Sequence, residues 1–171
     1  MFTALDADPE ELHPDARNFV ETIRQTGWIA THAQASETWP CFTYTTGLWA
    51  TRGLPELIVF GLDMDQAHAL IAAIVKATDE GSRLKAGVAM KGLPGAARAV
   101  MFTTDRCKHD PFMLLTTWFY NHPGFPCAQI VLSDAQGALP WEEACDTAFL
   151  AAQPDLTVSG WTASLADPSQ T

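Results

Sequence analysis

The stretch Phe42–Ile74, FTYTTGLWATRGLPELIVFGLDMDQAHALIAAI, decides how this chain folds. Its first part, Phe42–Leu48, is rich in β-branched and aromatic residues that alternate between two faces, which predicts a strand. The run Glu56–Leu62 is apolar after its first residue and predicts a central strand covered on both faces. Asp63 can cap the following helix, with Gln66 three residues later as in a capping box. The stretch therefore predicts strand, turn, buried strand and helix, in that order.

The flanking sequence predicts further strands and helices around this unit. Start signals and apolar spacing predict helices over about 9–26, 112–121 and 141–152, and the middle one is apolar nearly all round, so it should be deeply embedded. Further strands are predicted at 28–33, 83–90, 97–103, 128–132 and 139–141. Hairpin turns join several of them. We therefore expect an α+β fold: a single domain over 1–155, with helices packed on a mostly antiparallel β-sheet, and a loosely held tail over 156–171.

Composition narrows the classes of function. Ten basic and twenty acidic residues give the 171-residue chain a formal charge of −10, which argues against nucleic-acid and anionic-membrane partners. Four widely spaced cysteines form no C-x-x-C pair, so we expect neither a disulfide framework nor a zinc ribbon. The N-terminus lacks the pattern of a signal peptide. The expectation is a cytoplasmic protein with no metal and no cofactor, whose oligomeric state the sequence leaves open.

Two motifs in a fixed order carry a resemblance to a known family. The first is Phe42–Leu48 followed by Leu54–Leu62, and the second comprises Trp118–Tyr120, Phe125–Pro126, Ala128–Val131, Asp134, Gly137 and Leu139–Glu142. Over residues 27–142 the chain resembles the bacterial domain-of-unknown-function family numbered 4262. Two departures from the pattern are Leu54, where that family usually has histidine, and Leu132–Asp134, where it usually has Trp-Pro-Asp. The resemblance implies no activity.

A second, more distant resemblance bears on function. The order strand, turn, Glu, strand is similar to that of suppressor-of-fused-like proteins, a group that includes bacterial immunity proteins. That similarity implies a protein that binds another protein.

The first candidate site is centred on Glu56, with Tyr44 on the neighbouring predicted strand. Pairing of the two strands would put these residues near opposite ends of the pair. A carboxylate at the start of a strand can bind a ligand or act as a base, but it more often accepts hydrogen bonds that hold the strand end. His68 lies three residues after Asp65 on the predicted helix, where the pair could tune an imidazole for proton transfer, although a half-buried helix histidine is the commoner case.

Other residues suggest weaker sites. His109 and His122 would lie at opposite ends of one helix and so could not share a metal ion, while Asp110 is explained as an N-cap. Cys127 beside Gln129 could be a nucleophile with an amide neighbour, but the sequence places no histidine or acid to activate it, so a buried strand cysteine is the preferred interpretation. Residues near predicted loops or helix ends complete the binding candidates: Trp49, Arg52, Glu56, Trp118, Tyr120, Gln129 and Trp141.

Two hypotheses of different classes follow. The first is a protein-interaction module of the immunity or anti-defence type. The alternative is a small enzyme or ligand-binding protein with an apolar pocket near Tyr44, Glu56, His68 and the 118–120 segment. A third hypothesis is that the chain forms an antiparallel barrel that binds a flavin.

Overall fold

Six β-strands form one sheet in the computed structural model, which describes residues 2–166. The strands are β1 (Ile29–Ala33), β2 (Phe42–Thr46), β3 (Glu56–Phe60), β4 (Ala89–Leu93), β5 (Ala96–Thr103) and β6 (Cys127–Leu132). The α-helices are α1 (Pro14–Thr26), α2 (Leu48–Arg52), α3 (Met64–Asp79), α4 (Arg106–His109), α5 (Leu114–Tyr120), α6 (Thr147–Ala151) and α7 (Trp161–Ala166). Short 3₁₀ helices cover Ala4–Asp6 and Asp110–Phe112.

The strand order is β1-β2-β3-β6-β5-β4. Neighbouring strands run antiparallel except for β3 and β6, which are parallel and place Glu56 opposite Cys127. The predicted α+β class, with a mostly antiparallel sheet in a single domain, is confirmed. Within the described residues β1 and β4 are open edges, so the sheet does not close into the barrel that flavin binding was expected to use.

Strand β3 lies at the centre because its side chains are apolar on both faces, and all five of its residues are buried. Leu57 and Val59 face helix α3, whose Leu70, Ile71 and Ile74 belong to the same apolar cluster. The alternate residues of β3 face a second cluster on the opposite side of the sheet, which contains Ile23, Tyr44, Ile58, Phe60, Phe112, Phe119 and Tyr120. Because side chains alternate along a strand, one short segment holds both layers together.

Helix α1 begins at Pro14, although the sequence predicted a start near residue 9. A proline inside a helix lacks the N–H that the helix needs and disfavours helical geometry in the residue before it. Pro14 therefore takes the first position of the helix, and the side chain of His13 caps it. The end at Gly27 was predicted correctly, since this glycine has the left-handed conformation of a C-cap.

The C-terminal region departs furthest from expectation. The predicted helix over 141–152 is only the five-residue α6, capped by Asp146, and the predicted strand at 139–141 is absent from the described structure. The expected loose tail over 156–171 contains the buried Leu156 and Thr157 and the helix α7, and residues 167–171 lie outside the described part. The buried Gln129 binds this segment, since its side chain donates to the Pro154 carbonyl and accepts from the Leu156 N–H. None of the helices described in residues 2–166 has the length and apolarity needed to cross a membrane.

Candidate functional site

Glu56, the first residue of β3, is completely buried. Its Oε2 accepts a hydrogen bond from the Thr45 hydroxyl at 2.6 Å. Its Oε1 accepts from the backbone N–H groups of Gly47 at 2.9 Å and Trp49 at 3.2 Å, and from the Tyr120 hydroxyl. We call these five residues the Glu56 network. It joins the end of β2, the start of α2, the start of β3 and the helix α5.

Local sequence explains this arrangement. Gly47 has φ of 110°, which ends β2 and turns the chain into α2, where the sequence had predicted a strand as far as Leu48 and then a turn. The turn directs backbone N–H groups at the start of α2 towards Glu56, and such groups favour a negative charge. The Thr45 hydroxyl also accepts from the Leu57 N–H at 2.8 Å, so one side chain continues the β2–β3 pairing past its last backbone bond.

Burial raises the pKa of Glu56, and the hydrogen bonds from Thr45, Tyr120, Trp49 and Gly47 oppose that shift. The pKa of Tyr120 is raised as well, first by burial and then by the neighbouring carboxylate. The Glu56 side chain is buried from solvent, and the donors of its four hydrogen bonds all belong to the protein. The geometry favours the interpretation of Glu56 as an acceptor that holds a strand end, over that of a base meeting substrate.

Tyr44, Glu56 and His68 do not share a pocket. Tyr44 is buried opposite Ile58 in the apolar layer that contains α5. It therefore lies two positions along β3 from Glu56, on the same face. His68 is an exposed residue of α3, on the other side of the sheet, where its ring stacks on Trp28 with ring centres 5.5 Å apart.

His68 lines a different cavity, a cleft of about 300 Å³ between the β1–β2 edge of the sheet and the start of α3. His32 on β1 lines the same cleft, and its Nδ1 lies 2.8 Å from the Thr43 hydroxyl, which orients the ring. Asp65 completes its polar lining. No group of three metal-binding side chains occurs in the described residues. Sequence reasoning missed His32 because its nearness to His68 depends on the register of β1.

Of the binding candidates, the structure brings Trp49, Glu56 and Tyr120 together in the Glu56 network, whereas Arg52 and Trp141 have other partners. Arg52 pairs with Asp79 at 3.1 Å and donates to the Thr26 carbonyl, so it joins helix ends. Trp49 packs on Tyr120, with ring centres 5.3 Å apart. Trp141 packs at the far end of the sheet, between the rings of Phe102 and Trp161.

Cys127 is buried beside Met113, and burial raises the pKa of its thiol. This environment disfavours the thiolate that a nucleophile requires.

His122 accepts a hydrogen bond from the Gly124 N–H and so organises the turn after α5. Asp110 does not cap α5 but begins the 3₁₀ helix before it, while Asp105 caps α4.

His109 is the one sequence candidate that is both titratable near neutral pH and buried. Its Nδ1 lies 2.7 Å from the Thr104 hydroxyl. Its Nε2 lies 3.6 Å from Asp110 Oδ1, and neither of these two buried atoms has a hydrogen-bond partner. Burial lowers the pKa of His109, while the charges of Asp110 and Asp105 act in the opposite direction.

This environment predicts a pH-dependent stability. The pKa of His109 is lower in the folded than in the unfolded state, so the unfolded chain takes up the proton first as the pH falls. We expect the free energy of unfolding to fall below about pH 6.5, with a contribution of at most about 1.4 kcal/mol per pH unit from this group. Urea unfolding across this range should show a weaker pH dependence for His109→Gln than for the wild type. An equal weakening in His122→Gln would contradict the assignment.

An apolar groove lies between α1 and α5. Its volume is about 480 Å³, and we call it the α1–α5 groove; its lining residues are His13, Asp15, Ala16, Phe19, Leu115 and Trp118. The expectation that the helix over 112–121 is deeply embedded is wrong for its outer side. Leu114 is 69% exposed, and Leu115 and Trp118 are each 44% exposed.

The orientation of α5 explains this exposure. Thr116, Phe119 and Tyr120 point inwards, and the Thr116 hydroxyl donates to the Thr45 carbonyl while Tyr120 belongs to the Glu56 network. Because α5 has only about two turns, these inward contacts place Leu114, Leu115 and Trp118 on its outer side. Sequence reasoning selected Trp118 and missed Phe19 and Leu115, since a helix that is apolar nearly all round carries little signal for which side is covered.

Comparison with known proteins gives one match. The family model described as "Domain of unknown function (DUF4262)" matches residues 22–146 of the chain. Searches of the curated proteins and of the solved structures found no match. The matched region contains the complete Glu56 network and all of α5.

Proposed function

We propose that this chain, which belongs to the DUF4262 family of domains of unknown function, is a protein-binding module that contacts its partner through the α1–α5 groove. The observation that carries the proposal is the exposure of Leu115 and Trp118, which line the groove from one helix. Contiguous exposed apolar residues on a soluble domain mark interaction sites, because leaving such a surface in water is unfavourable.

The composition of the groove also supports this role. Trp118 contacts Phe19 edge to face, with ring centres 6.3 Å apart, so two aromatic side chains form its centre. Aromatic residues are enriched where binding energy concentrates at protein interfaces. Asp15 and His13 lie at the border of the groove, which matches the usual arrangement of an apolar centre and a polar rim.

An immunity or anti-defence role is one form of such a module. Its support is the distant resemblance to suppressor-of-fused-like proteins. A cytoplasmic location agrees with the four cysteines, all of which are free thiols in the structure.

The histidine-lined cleft at the other side of the sheet supports a second candidate, a small-ligand site that uses His32 and His68.

Leu115→Glu should abolish binding of the native partner. A charge in the centre of an apolar interface would be buried without a counter-charge, so we expect at least a hundredfold loss of affinity, about 3 kcal/mol. The measurement is affinity purification with chemical cross-linking from the producing cells, using wild type and variant as bait.

Val158→Glu is the matched control, because Val158 is 64% exposed and lies outside the groove. A stoichiometric partner that the wild type and Val158→Glu retain and Leu115→Glu loses would support the proposal. A partner that Leu115→Glu retains, or the recovery of none with any bait, would contradict it. Circular dichroism establishes that both variants are folded.

A further inference from the structure

We infer that the partner segment for the α1–α5 groove is an amphipathic helix with an apolar face and basic flanks. The inference rests on the proposed function and adds the chemistry of the partner. Shape and charge point to this class of ligand independently.

The shape argument begins with the two rows of side chains along the groove. Ala16 and Phe19 lie three residues apart on α1, and Leu115 and Trp118 lie three residues apart on α5. Residues with this spacing lie on one face of a helix, so each wall presents one apolar row. The gap of about 480 Å³ suits the apolar stripe of a third helix, in the helix-in-groove mode of recognition.

The charge argument concerns the border of the groove. The Asp15 side chain lines the groove and is 93% exposed, with Nδ1 of the neighbouring His13 3.5 Å from its Oδ2. Three further exposed acidic residues, Asp8, Glu10 and Glu11, lie in the segment of chain before α1. Helix α5 carries no charged residue. The whole chain has a formal charge of −10. A partner with lysine or arginine beside its apolar stripe would therefore gain attraction at the rim and a faster encounter.

The basic residues of α1, Arg17 and Arg24, do not line the groove. Arg24 donates to the backbone carbonyls of Leu5 and Ala7, and Arg17 donates to that of Leu12. These contacts tie both guanidinium groups to the protein's own N-terminal segment.

The same charges disfavour other occupants of the groove. Two copies of this chain meeting at the groove would bring two acidic rims together, and like charges at close range oppose association. Nucleic acid and anionic lipid carry the same sign of charge as the rim. A basic helix from a different protein is the class that satisfies both the apolar centre and the acidic border.

The test uses two synthetic peptides of about four helical turns. Both have leucine at the i, i+3, i+4 and i+7 positions, with lysine at the other positions in one peptide and glutamate in the second. Fluorescence anisotropy of the labelled peptides measures binding to the wild-type chain. We expect the lysine peptide to bind at least about tenfold more tightly than the glutamate peptide, and its affinity to fall when salt is raised from about 0.05 to about 0.3 M.

Three protein variants locate the binding. Leu115→Glu should weaken binding of the lysine peptide at least about tenfold, and Asp15→Lys should weaken it by a smaller factor and reduce its salt dependence. Val158→Glu should bind as the wild type does. Because Asp15 is highly exposed, its variant retains the fold and keeps the test valid if Leu115→Glu is unstable.

Equal binding of the two peptides would overturn the inference, as would undiminished binding of the lysine peptide to the Asp15→Lys and Leu115→Glu variants. Such a result would leave the proposed function standing if the native partner is still lost from Leu115→Glu. If the two peptides bind equally and Leu115→Glu also retains the native partner, both the inference about the partner's chemistry and the proposed function would be refuted.

Discussion

Glu56→Ala is expected to lower the free energy of unfolding by about 3–5 kcal/mol. The substitution removes the acceptor of four hydrogen bonds, and the donors lie in Thr45, Gly47, Trp49 and Tyr120. Buried donors without an acceptor lose their hydration without compensation, at about 1–3 kcal/mol each before the structure relaxes. Urea denaturation monitored by tryptophan fluorescence measures the change.

A second carboxylate substitution provides the control. Glu80 caps the C-terminal end of α3, and its side chain is 66% exposed, so Glu80→Ala should change the stability by less than about 0.5 kcal/mol. Tyr120→Phe removes one donor from the network and keeps the ring, and its expected cost is about 1–2 kcal/mol. If Glu56→Ala were no more destabilising than Glu80→Ala, Glu56 would not have the structural role described.

Gly47→Ala is expected to destabilise the fold by about 2–4 kcal/mol. Gly47 has φ of 110°, and a Cβ built there would lie 2.7 Å from Ile23 Cγ2 and 2.9 Å from the Gly27 carbonyl oxygen. The contact with the backbone oxygen cannot be relieved by rotating a side chain. The alanine therefore adds a clash to the unfavourable conformation, and it moves one of the donors to Glu56.

Gly53→Ala separates these two contributions. Gly53 also has a left-handed conformation, with φ of 67°, but no atom lies within 4 Å of a Cβ built on it. Gly53→Ala should therefore lower the free energy of unfolding only through the unfavourable left-handed conformation, by about 1–2 kcal/mol. Thermal or urea unfolding of both variants measures how much more Gly47→Ala destabilises the fold. Equal destabilisation by the two substitutions would show that the close packing at Gly47 is unimportant.

The Glu56 network connects stability to the proposed interaction surface. Tyr120 reaches Glu56 from α5, and Thr116 on the same helix bonds to Thr45. These bonds set the rotation of α5 about its axis, and that rotation decides that Leu115 and Trp118 face solvent. Substitutions in the network should therefore weaken partner binding as well, without any contact between the network and the partner.

Several elements could be predicted from local sequence. Strand β3 was predicted because an uninterrupted apolar run is typical of a strand covered on both faces, and all its residues are buried. Helix α3 was predicted from the Asp63 cap and the apolar spacing after it, and Asp63 does accept from the Gln66 N–H. The α+β class followed from the hairpins. These features depend on interactions between residues close together in the chain.

The candidate site could be predicted only as single residues. Glu56, Tyr120 and Trp118 were selected, but the pocket expected to join Glu56 with His68 does not form, because the two lie on opposite sides of the sheet. The start of α1 and the extent of the C-terminal helix were also mispredicted. At Pro14 a local steric rule was overlooked, and after α6 the chain is held by distant contacts such as that of Gln129 with Pro154.

The sequence by itself determined which segments are strands and helices in the central unit, since periodicity and capping act over a few residues. Only the tertiary structure decided where Glu56 and Trp118 lie and what they contact. The hydroxyl of Tyr120, 64 residues away in the sequence, donates a hydrogen bond to Glu56, and this bond favours the interpretation of that carboxylate as a buried acceptor over that of a catalytic base. The same packing leaves Trp118 exposed, because a helix that is apolar nearly all round has no outer face until its neighbours cover the inner one.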